Sequence, residues 1–440
     1  MRESNKITIV GAGSARTPAL VGSMIKLKDR FPLKKVIFYD IDDERTSKME
    51  SYIRLVLKNY MADTEVIFTT DPDEAYEDTD FVLCQMRVGK NEMRSYDEKI
   101  PLIHGLVGQE TCGPGGFSYG MRSLGAMIEM VNQVRKHSKD TWILNYTNPA
   151  AIVAVGLDKV FPEDKRIVNL CDQPYSMMRS FAKILGVEQK DLRADYFGLN
   201  HFGWFTKIED YNGRNYFHDL MDYFKNHDFK PYNAEQRSQS WLNTYLRVNK
   251  YLKYFDEYIP NTYLQYYFFP EEIVAESDPN YTRADEAKDS REKEVWEMCA
   301  KAEGATSLEG IEVVTNSVFG DLMIELAESI AYDLHKEFIL LTKNTGIIPN
   351  FNSEAIIEVA GTFGKNGAEP FQYGDIKPFY KGLMEAQYAY ELLTVEAYLE
   401  QDYTKALQAL TLNRTIVNPE KAQAVLKDLI EANRDYWTLN

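Results

Sequence analysis

The chain has 440 residues, of which 44% are apolar and 27% charged, and a formal net charge of −17. That length predicts two domains, or one large domain with an appendage. A charge this negative argues against nucleic acid and anionic membrane surfaces as partners. No apolar run reaches about 18 residues, so no transmembrane helix is predicted, and the first residues lack the features of a signal peptide. Four cysteines in so long a chain do not make a disulfide framework, which favours a reducing, cytoplasmic location.

The first half of the chain alternates between strand-like and helix-like patterns. Runs of β-branched and aromatic residues predict strands at residues 7–10, 35–39, 65–69, 80–85, 142–146 and 166–170. The stretches between them predict helices, among others at residues 17–30, 43–60, 118–137 and 174–186. Strands separated by helices are typical of βαβ units. We therefore predict an α/β fold with a doubly wound, mostly parallel sheet.

The pattern changes near residue 192. Residues 194–210 mix aromatic residues with alternation and precede the turn signal Tyr211-Asn212-Gly213, which predicts antiparallel strands and a hairpin. From about residue 214 the sequence is mainly helical, with long segments predicted at residues 284–302, 318–344, 377–400 and 418–436. We predict two domains: a Rossmann-like domain over residues 1–192, and a mixed α+β, largely helical domain over residues 193–440.

The first strand-to-helix junction predicts a dinucleotide site. Gly11-Ala12-Gly13-Ser14 follows the strand, and Pro18 suits the first turn of the next helix. Glycines let the backbone approach a pyrophosphate, and the helix N-terminus supplies free N–H groups. Asp40 ends the second strand, where an acid binds ribose hydroxyls and disfavours the 2′-phosphate of NADP. The pattern favours NAD, although Arg16 replaces the third glycine of the usual motif, and an ordinary turn without a ligand is the alternative.

Two segments near the middle of the chain contain candidate metal ligands. Cys171 and Asp172 follow a predicted strand, and ligands collect at the carboxyl ends of parallel strands. His201 lies between aromatic residues. One thiolate and one imidazole can hold a divalent metal and leave positions open for substrate oxygens, and ligand softness alone points to zinc. The alternatives are a buried apolar cysteine and a structural histidine.

Further polar segments lie at the same predicted sheet edge. Residues 107–116 are rich in glycine and predict a loop, and residues 145–149 close another strand. Arg87, Arg94 and Arg283 are candidates for binding an anionic group, with an ion-paired surface role as the alternative for each. A local cluster of arginines is what an anionic substrate would need on so acidic a chain.

Together these motifs resemble the NAD- and metal-dependent glycosidases of glycoside hydrolase family four, over essentially the whole chain. The resemblance rests on GAGS at 11–14, RVGKNEMR at 87–94, VGQETCGPGG at 107–116, NYTNPA at 145–150, CDQP at 171–174, GLNHFGW at 198–204, PNTYLQYY at 260–267 and NYTRADE at 280–286. It is strongest with the 6-phospho-α-glucosidase branch. It implies hydrolysis of α-linked 6-phospho-glucosides, such as maltose 6′-phosphate, to glucose 6-phosphate, with NAD and usually manganese as cofactors.

The resemblance implies roles for four residues in the reaction. Cys171 and His201 match the metal ligands, with manganese rather than zinc as the usual metal. Asp172 matches the acid that protonates the leaving oxygen, and an acid at this position favours α-linkages. Tyr263 matches the base that removes the C2 proton, and a tyrosine with its ordinary pKa of about 10 needs a metal or cation nearby for that task. The implied sequence is NAD-mediated oxidation at C3, deprotonation at C2, elimination, addition of water and re-reduction, an exception to two-carboxylate hydrolysis.

The resemblance also implies how the substrate is bound. Arg94, Asn148 and Arg283 match substrate-binding positions, and both arginines are directed at the 6-phosphate. Gln173 differs from the branch, in which this position is usually methionine. Because Gln173 is next to Asp172, the difference affects which linkage or aglycone we expect the protein to accept. The implied partners are a phosphorylated disaccharide and further copies of the chain, in a homodimer or homotetramer formed through the helical second half.

Three alternative functions remain open at this point. The nearest is a 6-phospho-β-glucosidase of the same family. An NAD-dependent dehydrogenase of a sugar or hydroxy acid would share the glycine-rich motif but would not require Cys171 and Asp172 beside a histidine and a tyrosine. A nucleotide-sensing protein would bind NAD without catalysing a reaction. Release of NADH separates the dehydrogenase from the glycosidase, and metal-dependent release of nitrophenol separates the glycosidase from the sensor.

Overall fold

The computed structural model describes residues 5–440, and its first half is built on a six-stranded sheet. The strands are β1 (Asn5–Val10), β2 (Leu33–Tyr39), β3 (Glu65–Thr69), β4 (Phe81–Cys84), β5 (Trp142–Asn145) and β6 (Ile167–Asn169). All neighbouring pairs are parallel, and the order across the sheet is β3-β2-β1-β4-β5-β6. This is the strand order of doubly wound folds that take ligands at the switch point beside β1. The predicted fold class is confirmed.

Helices cover both faces of this sheet. They are α1 (Thr17–Leu27), α2 (Asp43–Tyr60), α3 (Pro72–Tyr76), α4 (Lys90–Ile103), α5 (Gly113–His137), α6 (Ala150–Val160) and α7 (Gln173–Leu185). One face packs against α1 and α2, and the other packs against α3, α5 and α6. The strands are nearly all apolar because parallel strands covered on both faces leave no solvent-facing side.

The second half is largely helical and contains two three-stranded antiparallel sheets. The strands are β7 (Leu192–Leu199), β8 (Phe202–Asp210) and β9 (Ile259–Pro260) in one sheet, and β10 (Lys336–Lys343), β11 (Ile356–Gly364) and β12 (Gly367–Pro370) in the other. The helices are α8 (Phe217–Asn226), α9 (Gln239–Leu252), α10 (Gln265–Phe268), α11 (Pro270–Glu276), α12 (Arg283–Ala287), α13 (Lys293–Ala300), α14 (Val318–Ala331), α15 (Pro378–Glu400), α16 (Tyr403–Leu412) and α17 (Pro419–Asn433). The predicted α+β second half is confirmed.

The two halves share an apolar core. α14 packs on α1, where Leu20 and Met24 join Phe319 and Met323 in one buried cluster. The same cluster includes side chains of β10 and β11. Within residues 5–440, no helix is both long enough and apolar enough to cross a membrane.

One predicted helix is partly a strand. The helix expected over residues 318–344 ends at Ala331, and β10 occupies Lys336–Lys343. Left-handed backbone at Asp333 and His335 reverses the chain between them. The prediction was wrong because the apolar run of a buried strand also satisfies helical spacing over a few residues.

Two turns differ from their sequence signals. The hairpin of β7 and β8 turns at Asn200-His201, whereas the signal at residues 211–213 marks the next turn, in which Gly213 N–H donates to Asp210 O at 3.0 Å. The predicted loop over residues 107–116 ends early, because Gly113 already begins α5. That helix needs glycine in its first turn, since a Cβ at Gly115 would lie 2.3 Å from a carbonyl oxygen of the preceding loop.

Candidate active site

A tight loop joins β1 to α1 at the carboxyl edge of the sheet. Gly11 has a φ of 81°, and a Cβ there would lie 2.8 Å from Met86 Cα, so only glycine fits. Gly13 N–H donates to Asp40 Oδ2 at 2.8 Å, and Ser14 N–H donates to Gly11 O at 3.1 Å. The structure therefore brings the four predicted nucleotide residues together just before a helix N-terminus, the usual form of a pyrophosphate site.

The Asp40 carboxylate is held by the backbone around this loop. Its second oxygen, Oδ1, accepts the Asp42 N–H at 3.0 Å. Arg45 lies on the other side of the loop, where its Nε donates to Gly13 O at 3.1 Å and its guanidinium pairs with Glu292 at 2.5 Å. The acid thus has a fixed position at the end of β2, where a ribose would lie in a doubly wound fold.

Cys171 and His201 lie side by side, although they come from different sheets. Cys171 follows β6, and His201 occupies the hairpin turn between β7 and β8 with a φ of 61°. Cys171 Sγ is 3.3 Å from His201 Nε2, and both side chains are buried. Burial, assisted by Glu358 and Asp172, raises the pKa of the Cys171 thiol well above its usual value. Burial lowers the pKa of His201 to about 3, which leaves a neutral imidazole with a lone pair to donate.

The two donor atoms suit a metal ion whose remaining coordination positions are filled by substrate oxygens. Within residues 5–440, no group of three or more histidine, cysteine, aspartate and glutamate side chains is arranged to hold a metal ion. One thiol and one imidazole at 3.3 Å are nevertheless two candidate donors, and open positions are what catalytic metal sites provide for substrate oxygens. A divalent cation would also stabilise the thiolate that burial disfavours.

Tyr263 stacks directly on the candidate metal ligand. Its ring lies parallel to the His201 ring, with centroids 3.8 Å apart and planes 11° apart. The side chain of Asn261 holds the turn, because its Oδ1 accepts the Tyr263 N–H at 3.0 Å. Burial raises the pKa of Tyr263 well above 10, and the nearby Tyr266 and Glu110 act in the same direction. The phenol therefore needs a bound cation before it can act as a base.

Asp172 follows Cys171 in the chain and lies immediately before α7. Its carboxylate neighbours Tyr146, whose pKa is raised by burial and further by Asp172. Arg16 Nη1 donates to the Tyr146 hydroxyl at 3.3 Å, and its guanidinium lies over the Tyr146 ring at 5.3 Å. The arginine that replaces the third glycine of the nucleotide motif thus reaches from the glycine loop towards the candidate acid.

Arg87 and Arg94 share one carboxylate, that of Glu110. Arg94 Nε lies 3.2 Å from Glu110 Oε2, and Arg87 forms an ion pair with the same oxygen. Burial opposes ionisation of Glu110, but the two arginines lower its pKa to about 2. Asn148 follows β5 and is partly exposed at the same edge, where its Oδ1 accepts the Ala150 N–H at 3.4 Å.

Arg283 is the first residue of α12. Its Nη1 donates to Ser240 Oγ at 3.3 Å and lies 3.6 Å from Glu286 Oε2. The guanidinium also lies over the ring of Trp241, 5.3 Å from the centroid, and Arg237 lies over the same ring at 5.6 Å.

Sequence reasoning missed three side chains of this region. Glu110 and Glu358 gave no distinct signal, because a single acid in a loop or strand is usually solvated. Glu358 on β11 is buried, accepts from Asn200 Nδ2 at 3.0 Å, and has its pKa raised by burial to about 7. Arg291 lies in a π-helical turn at Lys288–Glu292. The nearby Arg16, Arg237, Arg94 and Arg283 all disfavour its positive charge.

Comparison with known proteins identifies the family. A model of the family 4 glycosyl hydrolases matches residues 6–187, and a model of the family 4 glycosyl hydrolase C-terminal domain matches residues 196–416. The chain therefore belongs to family 4 of the glycosyl hydrolases. The resemblance seen in its motifs is confirmed.

Similar proteins of this family are named as phospho-α-glucosidases or maltose-6′-phosphate glucosidases. The phospho-alpha-glucosidase PagL of Clostridium acetobutylicum is 46% identical over 436 residues, covering 98% of each chain. The maltose-6′-phosphate glucosidase of Bacillus subtilis is 41% identical over 438 residues, covering 99% of this chain and 97% of the relative. A crystal structure of a 6-phospho-alpha-glucosidase from gut microorganisms, in complex with NAD and Mn2+, is 42% identical and superposes with a TM-score of 0.98 over 100% of both chains.

Proposed function

We propose that the chain hydrolyses α-linked 6-phospho-glucosides, such as maltose 6′-phosphate, and releases glucose 6-phosphate. The observation that carries the proposal is the cluster of four side chains at Cys171, Asp172, His201 and Tyr263. Cys171 Sγ and His201 Nε2 are 3.3 Å apart, Tyr263 stacks on His201, and Asp172 adjoins Cys171. This arrangement brings a thiol, an imidazole, a carboxylate and a phenol together, and Arg16 connects the region to the nucleotide loop through Tyr146.

NAD and a divalent metal, manganese in preference to zinc, are the proposed cofactors. Gly11, Gly13, Ser14 and Asp40 would hold the dinucleotide, and Cys171 and His201 would hold the metal. When bound, NAD accepts and returns a hydride, and the metal polarises the substrate oxygens it contacts. The fit to these groups rests on the glycine loop before the N-terminus of α1 and on the buried thiol–imidazole pair.

The remaining steps fall to side chains of the chain itself. Tyr263 takes the proton from C2 of the sugar, once a nearby cation has lowered the pKa that burial raises. Asp172 gives a proton to the glycosidic oxygen, so that the aglycone leaves as an alcohol. Water then adds to C1, and the net redox change is zero. The two proton transfers are therefore assigned to separate side chains, Asp172 and Tyr263.

Arg94 and Arg283 are the proposed ligands of the 6-phosphate, and Asn148 is a further substrate contact. Guanidinium groups bind phosphate through paired, charge-assisted hydrogen bonds. A local arginine cluster lets a chain with a net charge of −17 take an anionic substrate. Both arginines have a carboxylate neighbour in the structure, Glu98 for Arg94 and Glu286 for Arg283.

We also infer a homodimer or homotetramer formed through the second half, in a reducing, cytoplasmic setting. This assembly is what membership of the family implies for the helical second half. The thiols of Cys84, Cys112, Cys171 and Cys299 are all free and buried, as in proteins kept reduced. Light scattering coupled to gel filtration measures the assembly.

The assay that tests the function uses 4-nitrophenyl α-glucoside 6-phosphate with and without NAD, Mn2+ and a reductant. We expect nitrophenol release that requires all three additions, and no accumulation of NADH. Faster release from the β-linked isomer would favour a 6-phospho-β-glucosidase, and stoichiometric NADH would favour a dehydrogenase. Binding of NAD without release of nitrophenol from either isomer would favour a nucleotide sensor.

A further inference from the structure

We infer that Glu98 is a positioning residue that orients both proposed phosphate ligands, Arg94 and Arg283, at once. The inference rests on the proposed function. Glu98 lies in α4 and is only 1% exposed. Within residues 5–440 it makes no hydrogen bond with the thiol, imidazole or phenol of the site, and its two carboxylate oxygens are used separately.

The first oxygen holds Arg94. Glu98 Oε1 accepts the Arg94 Nε–H at 2.8 Å, across one turn of α4. The Arg94 side chain is 12% exposed, and Nε is the atom through which it also approaches Glu110. Its terminal amino groups make no hydrogen bond within residues 5–440, so the two-pronged edge of the guanidinium remains for a ligand. That edge is the one that binds phosphate with two parallel hydrogen bonds.

The second oxygen holds the segment that carries Arg283. Glu98 Oε2 accepts the Ala284 N–H at 2.7 Å, and Ala284 directly follows Arg283 in the first turn of α12. Thr282 and Asp285 cap the same turn reciprocally. One carboxylate therefore links the start of α12 to α4, although Glu98 and Ala284 are separated by 186 positions in the chain.

The two contacts of Glu98 predict the direction in which KM changes when its carboxylate is lost. A buried carboxylate near a phosphate site repels the phosphate, so loss of its charge alone would strengthen substrate binding. A carboxylate that orients two arginines has the opposite effect when it is lost, because the arginines no longer meet the phosphate together. The direction of the change in KM therefore distinguishes positioning from simple charge balance.

The first variant is Glu98→Gln, which keeps the size of the side chain but has only one oxygen to accept. We expect KM for 4-nitrophenyl α-glucoside 6-phosphate to rise about tenfold or more, the scale of a lost charge-assisted hydrogen bond. We expect kcat to change by less than about threefold, because the reacting atoms are held by other side chains. The affinity for NAD, measured by calorimetry, stays at the wild-type value. If Glu98→Gln does not fold, Glu98→Asp keeps the charge but is too short to reach both partners, and the same rise in KM is expected.

Lys99→Met is the matched control. Lys99 is the next residue of α4. Its Nζ lies 2.9 Å from Asp285 Oδ2, so it also links α4 to α12. This variant removes a contact between α4 and α12 without touching Arg94, and we expect an unchanged KM. A rise in KM equal to that of Glu98→Gln would show that any loosening of the two helices suffices, and would overturn the role of Glu98.

A double-mutant cycle with Arg94→Lys tests whether Glu98 acts through the arginine. We expect the double variant to raise KM by less than the product of the two single effects, because the part of the Glu98 effect that acts through Arg94 is already lost, while the part that acts through Arg283 remains. An unchanged or lowered KM in Glu98→Gln, or additive effects in the cycle, would overturn the inference. Binding of inorganic phosphate, followed by calorimetry, needs no turnover. A wild-type chain that binds phosphate but does not hydrolyse the substrate would contradict the proposed function alone.

Discussion

The stack of Tyr263 on His201 allows the proposed base to be tested without disturbing the proposed metal ligand. Tyr263→Phe removes one hydroxyl and keeps the ring, so the contact at 3.8 Å between the centroids is preserved. The ring also stays buried, so the substitution removes only the hydroxyl group that would take part in proton transfer. General acid–base catalysis contributes about 100-fold to 10,000-fold to rates, so we expect kcat to fall by that factor. We expect the affinity for Mn2+ to stay within about threefold, because His201 keeps its neighbour.

The assay is nitrophenol release from the α-glucoside 6-phosphate, together with exchange of the C2 hydrogen with deuterated water. The wild type is expected to place deuterium at C2 of glucose 6-phosphate, and Tyr263→Phe to do so far more slowly. Tyr266→Phe is the matched control, since that ring lies 5.8 Å from Tyr263 and burial raises its pKa to about 12. Tyr263→Phe with wild-type exchange at C2 would refute the assignment of Tyr263 as the base.

Three further substitutions test neighbouring parts of the site. Cys171→Ser is expected to lose most activity and to weaken the dependence on metal, because a hydroxyl is a poorer ligand than a thiolate; full activity in the presence of a chelator would contradict the metal assignment. Asp172→Asn is expected to slow substrates with poor leaving groups more than nitrophenyl substrates, since activated leaving groups need no proton, and equal losses would remove Asp172 as the acid. Gln173→Met is expected to lower kcat several-fold without changing KM, because Gln173 Nε2 donates to Thr262 Oγ1 at 2.5 Å beside the candidate base; a changed preference among aglycones instead would place the residue at the leaving group.

The sequence predicted the first sheet closely because its signals are local. Each strand is a short apolar run between turn residues, and the glycines of residues 11–13 mark the junction with α1. Parallel strands end at one edge, so the positions of Asp40, Asn148 and Cys171 after predicted strands are enough to assign them to the same side of the sheet. The prediction of one helix over residues 318–344 was wrong because it also relied on a local pattern. Over the eight residues of β10, the apolar pattern of a buried strand is like that of a helix.

What the sequence determined by itself was therefore the periodicity of the first half, the glycine loop and the family motifs. The family motifs already paired Cys171 with His201, and the tertiary structure added the distance of 3.3 Å between them. Only the tertiary structure decided that Glu98 meets Ala284 across two helices. Such contacts depend on how the hairpin and α12 pack against the first half. Packing is a property of the whole buried core, and no window of neighbouring residues encodes it.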